Sequence, residues 1–282
     1  RMSPLEIPFP AIDPIALEIG PIAIRWYGLA YAAGLILGWL YIRQLLQRTD
    51  LWPGNTAPMS PDDVDELLIW VTAGVILGGR LGHVLFYHPD FYFSNPLEIF
   101  AIWKGGMAFH GGLIGTAVAM YLFARRQGIS LWPVADLVSA AVPIGLFFGR
   151  VANFINAEVV GSKTQMPWGM VFPNSGDEPR HPAMLYEAAL EGIALFLVLR
   201  YLTHTLGGLK KPGLTTGVFL VGYGVFRIFC ELFKIVDYRL VVEGAPITKG
   251  MVYSVPMLIL GAWVIHRART QAAQSNQEKT PA

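Results

Sequence analysis

Arg80, Arg150 and Arg227 each stand inside a long apolar stretch, and Arg25 stands at the start of another. A guanidinium at membrane depth is costly and rare, and it usually marks a site. The residues around them recur at helical spacing. Tyr223, Arg227 and Glu231 follow at steps of four and share one face, so Glu231 can orient Arg227 as an ion pair. Arg150 is followed at steps of three by Asn153 and Asn156; Arg80 shares a face with His83 and Tyr87; Glu187 and Glu191 stand four apart. A guanidinium fork binds two oxygens of a phosphate at once, and a histidine beside it serves as a base at neutral pH. His110 is the histidine singled out, because Gly105, Gly106, Gly111 and Gly112 surround it and would let a ligand approach closely. Together these residues suit the holding and activation of an anionic phosphate group.

Each also has a plain structural reading. An arginine near a helix end snorkels to the headgroups, which suits Arg25. Arg80 can pair with Glu187 or Glu191 and merely support a cavity. His110 can hydrogen-bond a neighbouring carbonyl, His83 and Tyr87 can pack, and the only cysteine, Cys230, reads as a small buried apolar residue. Trp26, Trp70, Trp103, Trp132 and Trp168 read as interface anchors. What raises these residues above such readings is that they gather at one end of their segments.

The elements that must position them are membrane helices. The chain of 282 residues is 54% hydrophobic and only 15% charged, with a mean hydropathy of +0.46, richer in apolar residues than soluble domains. A net charge of +1 points to no nucleic acid, and one cysteine excludes an internal disulfide and a Cys/His zinc site. Arg1 reads as an extra residue ahead of a native Met2, and no cleaved signal peptide is expected in the opening residues. About seven stretches are long enough to cross a hydrocarbon core, near 21–46, 63–87, 107–125, 132–155, 182–203, 214–235 and 250–267. Ser60 as N-cap and Pro61 behind it start the second, and His181-Pro182 starts the fifth. The aromatic stretch 89–104 suits an interfacial piece.

Basic residues set the orientation. Arg43 and Arg48, then Arg125 and Arg126, then Arg200, Lys210 and Lys211 flank alternate connections, and Arg267, Arg269 and Lys279 follow the last segment. The other side carries Lys104, Lys163, Arg180, Lys234, Arg239 and Lys249 in longer loops with more acids. The first set marks the cytoplasm. The expectation is an all-α membrane protein with its N-terminus outside and its C-terminus cytoplasmic. It would form one polytopic domain over 1–282, with outer loops near 88–106, 156–181 and 236–249 and a flexible tail at 270–282. The starts of segments one, three and five and the ends of two, four and six then share the outer half of the membrane.

Six motifs in order carry a resemblance: Trp26-Tyr27-Gly28; Gly-Gly-Arg80-Leu-Gly; Gly105-Gly-Met-Ala-Phe-His110-Gly-Gly; Gly149-Arg150-Val-Ala-Asn153-Phe-Ile-Asn156-Ala-Glu158; Arg180-His-Pro-Ala-Met-Leu-Tyr186-Glu187; and Gly222-Tyr223-Gly-Val-Phe-Arg227-Ile-Phe-Cys-Glu231. From about residue 10 to the last helix the chain resembles the prolipoprotein diacylglyceryl transferases. The resemblance implies a multi-pass bacterial inner-membrane enzyme acting toward the periplasm, with the outer loops periplasmic. It would move the diacylglyceryl group of phosphatidylglycerol to the lipobox cysteine of a preprolipoprotein, with a thioether and glycerol-1-phosphate as products. It also implies that Tyr27, His110, Arg150, Asn153, Glu158, Gly161, Tyr223, Arg227 and Glu231 serve catalysis or substrate binding. The chain departs from the family at Ala157, where glycine is usual, at Val159-Val160, where Leu-Trp is usual, and at Met184, where glutamine is usual.

The reaction and the residues agree. Sulfur attack at a glyceryl carbon expels a phosphate monoester, so Arg150 and Arg227 are the expected clamps for the developing charge. The thiol, with an ordinary pKa near 8.5, needs a base such as His110 or a positive field. Tyr27 joins these as a catalytic candidate. Asn153, Asn156, Glu158, Gly161, Tyr223, Glu231, Arg80 and Glu187 complete the set as substrate-binding candidates. No GxSxG, HExxH or SxxK motif is present, and neither metal nor cofactor is expected. The expected partners are phosphatidylglycerol, the lipobox segment and the bilayer. The rival reading is a transporter of anionic lipid or a small anion; it would favour internal repeats and a midplane site.

Overall fold

The computed structural model describes residues 7–10, 12–20, 22–87, 89–102, 105–173, 175–234 and 247–277. Trp103, Lys104, Arg239, Lys279 and most of the expected loop 236–249 lie outside them. In chain order the elements are β1 (Ile7–Pro8), β2 (Ile15–Ile19), β3 (Ile22–Arg25), α1 (Trp26–Gln47), α2 (Asp63–Phe86), α3 (Pro89–Ser94), α4 (Phe109–Arg126), α5 (Leu131–Ile155), β4 (Met170–Val171), α6 (Ala183–Glu187), a π-helical turn (Ala188–Ala194), α7 (Leu195–His204), α8 (Leu214–Glu231) and α9 (Lys249–Gln277). Every expected apolar stretch thus holds helix. Among the described residues five helices, in α1, α2, α5, α8 and α9, are long and apolar enough to cross a membrane. α4 has 18 residues, about 27 Å of rise, and α6, the π turn and α7 form one continuous helical run. Exposed large apolar side chains such as Leu35, Leu77, Phe86 and Ile259 stud these helices, the pattern of a chain whose solvent is lipid.

Two boundaries differ from the sequence expectation. The first helix begins at Trp26, and Arg25 ends a strand that pairs antiparallel with β2, opposite Ile15. Isoleucine-rich runs on either side of Gly20, whose φ of +59° suits a reversal, favour this hairpin over helix. At the other end, α9 continues through Gln277, across most of the tail expected to be flexible.

Contacts gather the chain into two compact units, Arg1–Tyr41 with Asp136–Ala282, and Ile42–Ala135. In the second unit, Ser60 and Asp63 exchange hydrogen bonds: the Ser60 N–H donates to Asp63 Oδ2 at 2.7 Å, and the Asp63 N–H to Ser60 Oγ at 3.3 Å. This reciprocal cap starts α2. Arg43 lies 3.1 Å from Asp62, and Arg126 lies 3.1 Å from Glu66 on the first turn of α2. Glycines then bring α2 against α4. A Cβ on Gly82 would fall 2.8 Å from Gly111 Cα, and Cβ atoms on Gly74, Gly78 or Gly115 would overlap the facing backbone. Small residues every fourth position are how membrane helices pack closely.

The first unit repeats that device between other helices. A Cβ on Gly34 of α1 would lie 3.1 Å from Gly145 Cα of α5, and one on Gly261 of α9 would lie 2.9 Å from Gly217 O of α8. α8 starts on a borrowed cap. Asp136 of α5, fully buried, accepts from the Gly213 and Thr216 N–H groups and from Thr216 Oγ1, each at 2.7 Å. A carboxylate at a helix N-terminus satisfies otherwise orphaned donors and meets the positive end of the dipole. That bond sets where α8 begins, and so where Tyr223, Arg227 and Glu231 stand further along it.

Candidate active site

Within the first unit, three helical segments and the end of α8 bring three carboxylates and three cations together. Glu187 closes α6, and Glu191 lies in the π-helical turn that follows. Such turns occur mostly as short insertions within α-helices, often at functional sites. Gly192 in that turn lets α5 approach, since a Cβ there would fall 2.7 Å from Phe147 Cβ. Arg150, nearly one turn beyond Phe147, thereby reaches the carboxylates.

Glu187 is the hub. Arg227 Nη1 donates a short hydrogen bond to its Oε1, Lys234 Nζ lies 2.6 Å from the same oxygen, and Arg150 Nε lies 3.0 Å from Oε2. Arg227 Nη2 lies 2.8 Å from Glu231 Oε1, the i,i+4 pair expected from the spacing. Lys234 Nζ lies 3.4 Å from that oxygen, and Thr248 Oγ1 donates to Glu231 Oε2 at 2.7 Å. Gly250 makes room for this carboxylate, which a Cβ would overlap. Glu191 is looser: Arg150 and Arg227 stand 3.6 and 3.7 Å away, and neither of its oxygens accepts a hydrogen bond from the described residues.

Exposure gives this network a direction. The Glu187 and Glu191 side chains are 0% exposed, while those of Arg150 and Arg227 are 20% and 21% exposed. The carboxylates therefore back the guanidiniums, and the accessible edge of the network is positive. Burial of three acids against three bases also leaves no formal charge in excess, which is what permits so many ions to be buried together. An incoming anion meets two oriented guanidiniums held from behind, the preorganised arrangement that stabilises developing negative charge.

Other candidates from the sequence surround the end of α5. Asn153 Nδ2 donates to Glu158 Oε2 at 3.1 Å, and the Glu158 N–H donates to Asn153 O at 2.8 Å. Glu158 sits between two left-handed residues, Ala157 with φ +53° and Val159 with φ +57°. For a β-branched residue that conformation is strained, and such strain persists where the surroundings enforce it. Two of the three places at which the chain departs from its resemblance, Ala157 and Val159-Val160, thus lie at the turn that presents Glu158. Gly161 is locked by backbone: its N–H donates to His181 O at 2.9 Å, and a Cβ would come within 2.6 Å of the carbonyls of His181 and Phe233. Tyr27 pairs with Tyr31, hydroxyl to hydroxyl at 3.3 Å, and Tyr223 stacks on Phe219 at 5.9 Å. Met184 is fully buried.

In the second unit Arg80 has different partners from those expected. Its Nε donates to Ile99 O at 2.8 Å, Nη2 to Glu98 O at 2.6 Å, and Nη1 to Gly105 O at 2.6 Å and Gly106 O at 3.2 Å. Tyr92 lies under the guanidinium, 5.1 Å from it. Only 5% of the residue is exposed, so Arg80 ties together Glu98, Ile99, Gly105 and Gly106. Gly105 and Gly106 have φ of +82° and +83°, which turns their carbonyls toward it. Gly111 serves the α2–α4 contact. Packing and Arg80 thus account for Gly106 and Gly111, while a Cβ on Gly105 or Gly112 would meet nothing closer than 3.6 Å. His110 lies exposed in the first turn of α4.

Sequence reasoning passed over Lys234, Thr248 and Asp136 as site or positioning residues. Lys234 stands three residues after Glu231, a spacing that signals an ion pair. Asp136 is an acid inside an apolar segment, itself a signal.

Comparison with known sequences follows from this geometry. A family described as "Prolipoprotein diacylglyceryl transferase" matches residues 14–267. A relative from Rhizobium meliloti (strain 1021) named phosphatidylglycerol–prolipoprotein diacylglyceryl transferase is 52% identical over 268 residues, 95% of this chain and 96% of its own length. One of the same name from Rhizobium leguminosarum bv. trifolii (strain WSM2304) is 52% identical over 269 residues, 95% of each chain. Another from Agrobacterium fabrum (strain C58 / ATCC 33970) is 50% identical over 265 residues, 94% of this chain and 95% of its own length.

Proposed function

We propose, from the premise that the chain belongs to the prolipoprotein diacylglyceryl transferase family, that it transfers the diacylglyceryl group of phosphatidylglycerol to the cysteine thiol of a prolipoprotein. The observation that carries the reading to particular residues is the backed pair of guanidiniums, Arg150 and Arg227, with their accessible edges outward. The thiolate sulfur forms a bond to the glyceryl carbon as the bond from that carbon to the phosphate oxygen breaks. The bonding pair leaves on glycerol-1-phosphate, whose second negative charge Arg150 and Arg227 hold. The thiol proton passes to a base, the role given to His110. Asn153 and Glu158, hydrogen-bonded to each other, with Asn156, Tyr27 and Tyr223, position the reactants. Glu187 and Glu231 orient the guanidiniums. No residue of the chain becomes covalently modified, so Cys230→Ala leaves transfer unchanged.

We place the protein in the bacterial inner membrane, crossing it seven times by counting α4 and the α6–α7 run with the five longer spans. The N-terminus is then outside, the C-terminus cytoplasmic, and the reaction in the periplasmic half. Alternating basic flanks such as Arg125-Arg126 and Lys210-Lys211 support this direction. A transporter is not favoured by family membership.

The experiment is transfer in vitro. Purified protein in detergent receives phosphatidylglycerol and a lipobox peptide, and products are followed by mass and by release of glycerol phosphate. The expected result is a gain of one diacylglyceryl group that disappears with a Cys→Ser peptide. Folded, lipid-replete protein that yields no product, where a proven transferase works, overturns the reading.

A further inference from the structure

A cleft of about 780 Å³ opens in the first unit, in the range of ligand pockets generally. Three pieces of chain line it. Pro8, Phe9 and Ile12 to Pro14 come from the N-terminal segment, Ile155 to Ala157 from the end of α5 and the turn after it, and Val171 to Pro173 with Gly176 and Asp177 from the end of β4 and the loop that follows. The parallel pairing of β1 with β4 holds the first and third together, Ile7 opposite Met170. Beneath, Phe9 packs on Phe154 and Phe172, with ring centroids 5.3 Å from each. None of the proposed chemistry uses this cleft except through Asn156.

Its charge decides what it can hold. The acidic side chains Asp13 and Asp177 are both exposed at it, and none of its lining residues among those described is basic. A phosphate headgroup would be repelled here, unlike at the edge of Arg150 and Arg227. Apart from the Asn156 amide, the remaining lining is proline, aromatic, aliphatic and glycine, which suits an extended chain of small and apolar residues. Position narrows the occupant. Asn156, just past the end of α5, lies six residues after Arg150, about 9 Å along the helix axis, and Ala157 belongs to the strained turn that presents Glu158. The cleft is made of loops beyond the helix end, so it meets the part of a membrane-inserted substrate that has left the bilayer.

We propose that this cleft binds the protein substrate: the extended segment that follows its cysteine, uncharged or basic in character. This rests on the transferase reading. Arg150 and Arg227 then take the lipid phosphate, while the cleft past the end of α5 takes the peptide leading away from the sulfur. The two substrates are thereby sorted by charge.

The test uses the full-length wild-type protein and Asp177→Lys in the transfer assay, with two lipobox peptides that carry lysines or glutamates just after the cysteine. In wild type the lysine peptide is expected to have the lower KM. Asp177→Lys should raise KM for the lysine peptide about fivefold and lower it for the glutamate peptide, as befits one exposed ion pair, with KM for phosphatidylglycerol unchanged. A photoreactive residue at Gly176 should cross-link the peptide through the segment after its cysteine. Equal response of the two peptides, a changed KM for phosphatidylglycerol alone, or cross-linking confined to the segment before the cysteine overturns the proposal. Absence of transfer by wild type would instead sink the transferase reading, so the two failures are distinct.

Discussion

Arg227 and Arg80 are the same residue type on membrane helices, yet the two units treat them in opposite ways. Arg227 is answered by carboxylates from α6 and from its own helix, and keeps about a fifth of its side chain accessible. Arg80 is answered by four backbone carbonyls and a tyrosine ring and is almost wholly buried. Carbonyls bring no charge, so Arg80 stays positive, but it already makes four hydrogen bonds and its face is covered. Carboxylates fix Arg227 in orientation and leave an edge for a further acceptor. An intramembrane arginine marks a site for an anion only when its partners leave such an edge; otherwise it ties backbone together.

The sharpest way to break that contrast is to remove the hub. Glu187→Gln leaves Arg150, Arg227 and Lys234 without their shared counter-charge, and should cost about 3–5 kcal/mol of stability as well as activity, read as a lowered Tm in detergent. Arg150→Ala is expected to lower kcat/KM for transfer by roughly 100-fold or more. Its fold should survive, because Arg227 and Lys234 still neutralise Glu187; circular dichroism and thermal melting check this. Arg80→Ala should act in reverse. It leaves four carbonyls without their donor and costs about 2 kcal/mol of stability, with KM for phosphatidylglycerol unchanged in the protein that remains folded. An increased KM for that lipid with an unchanged Tm would make Arg80 a binding residue and dissolve the contrast. The smallest effect belongs to the turn beside the site: Ala157→Gly removes a left-handed alanine and should stabilise by about 0.5 kcal/mol without loss of transfer.

Much of this was legible before any coordinates. All seven apolar stretches hold helix, and the four-residue steps that paired Arg227 with Glu231 predicted a real ion pair. The sequence set Arg150 and Arg227 together as clamps but offered Glu187 to Arg80, whereas in the structure Glu187 holds Arg150 and Arg227. Sequence reading failed where partners are distant or are backbone. Nothing local tells that Arg80 binds carbonyls 18 to 26 residues away, or that Asp136 caps a helix 77 residues later. Glycine was the most ambiguous signal. The glycines around His110 read as access for a ligand; the structure adds that Gly105 and Gly106 bend carbonyls onto Arg80 and that Gly111 packs α4 on α2. The turn at Glu158 was hidden for another reason: Ala157 and Val159 are not residues that announce positive φ.

The π-helical turn at Ala188–Ala194 makes this stretch intolerant of length change. Ahead of it stands Glu187, and behind it α7 buries Leu195, Leu199 and Thr203. Deleting one residue from the turn would let the run wind as an ordinary helix. The faces of its two halves would then rotate by about 100° relative to each other. Either the carboxylate would turn away from its three cations or the apolar face of α7 would turn out of its packing. Natural variation in this enzyme should therefore exchange residues between Glu187 and Leu195 while keeping their number fixed.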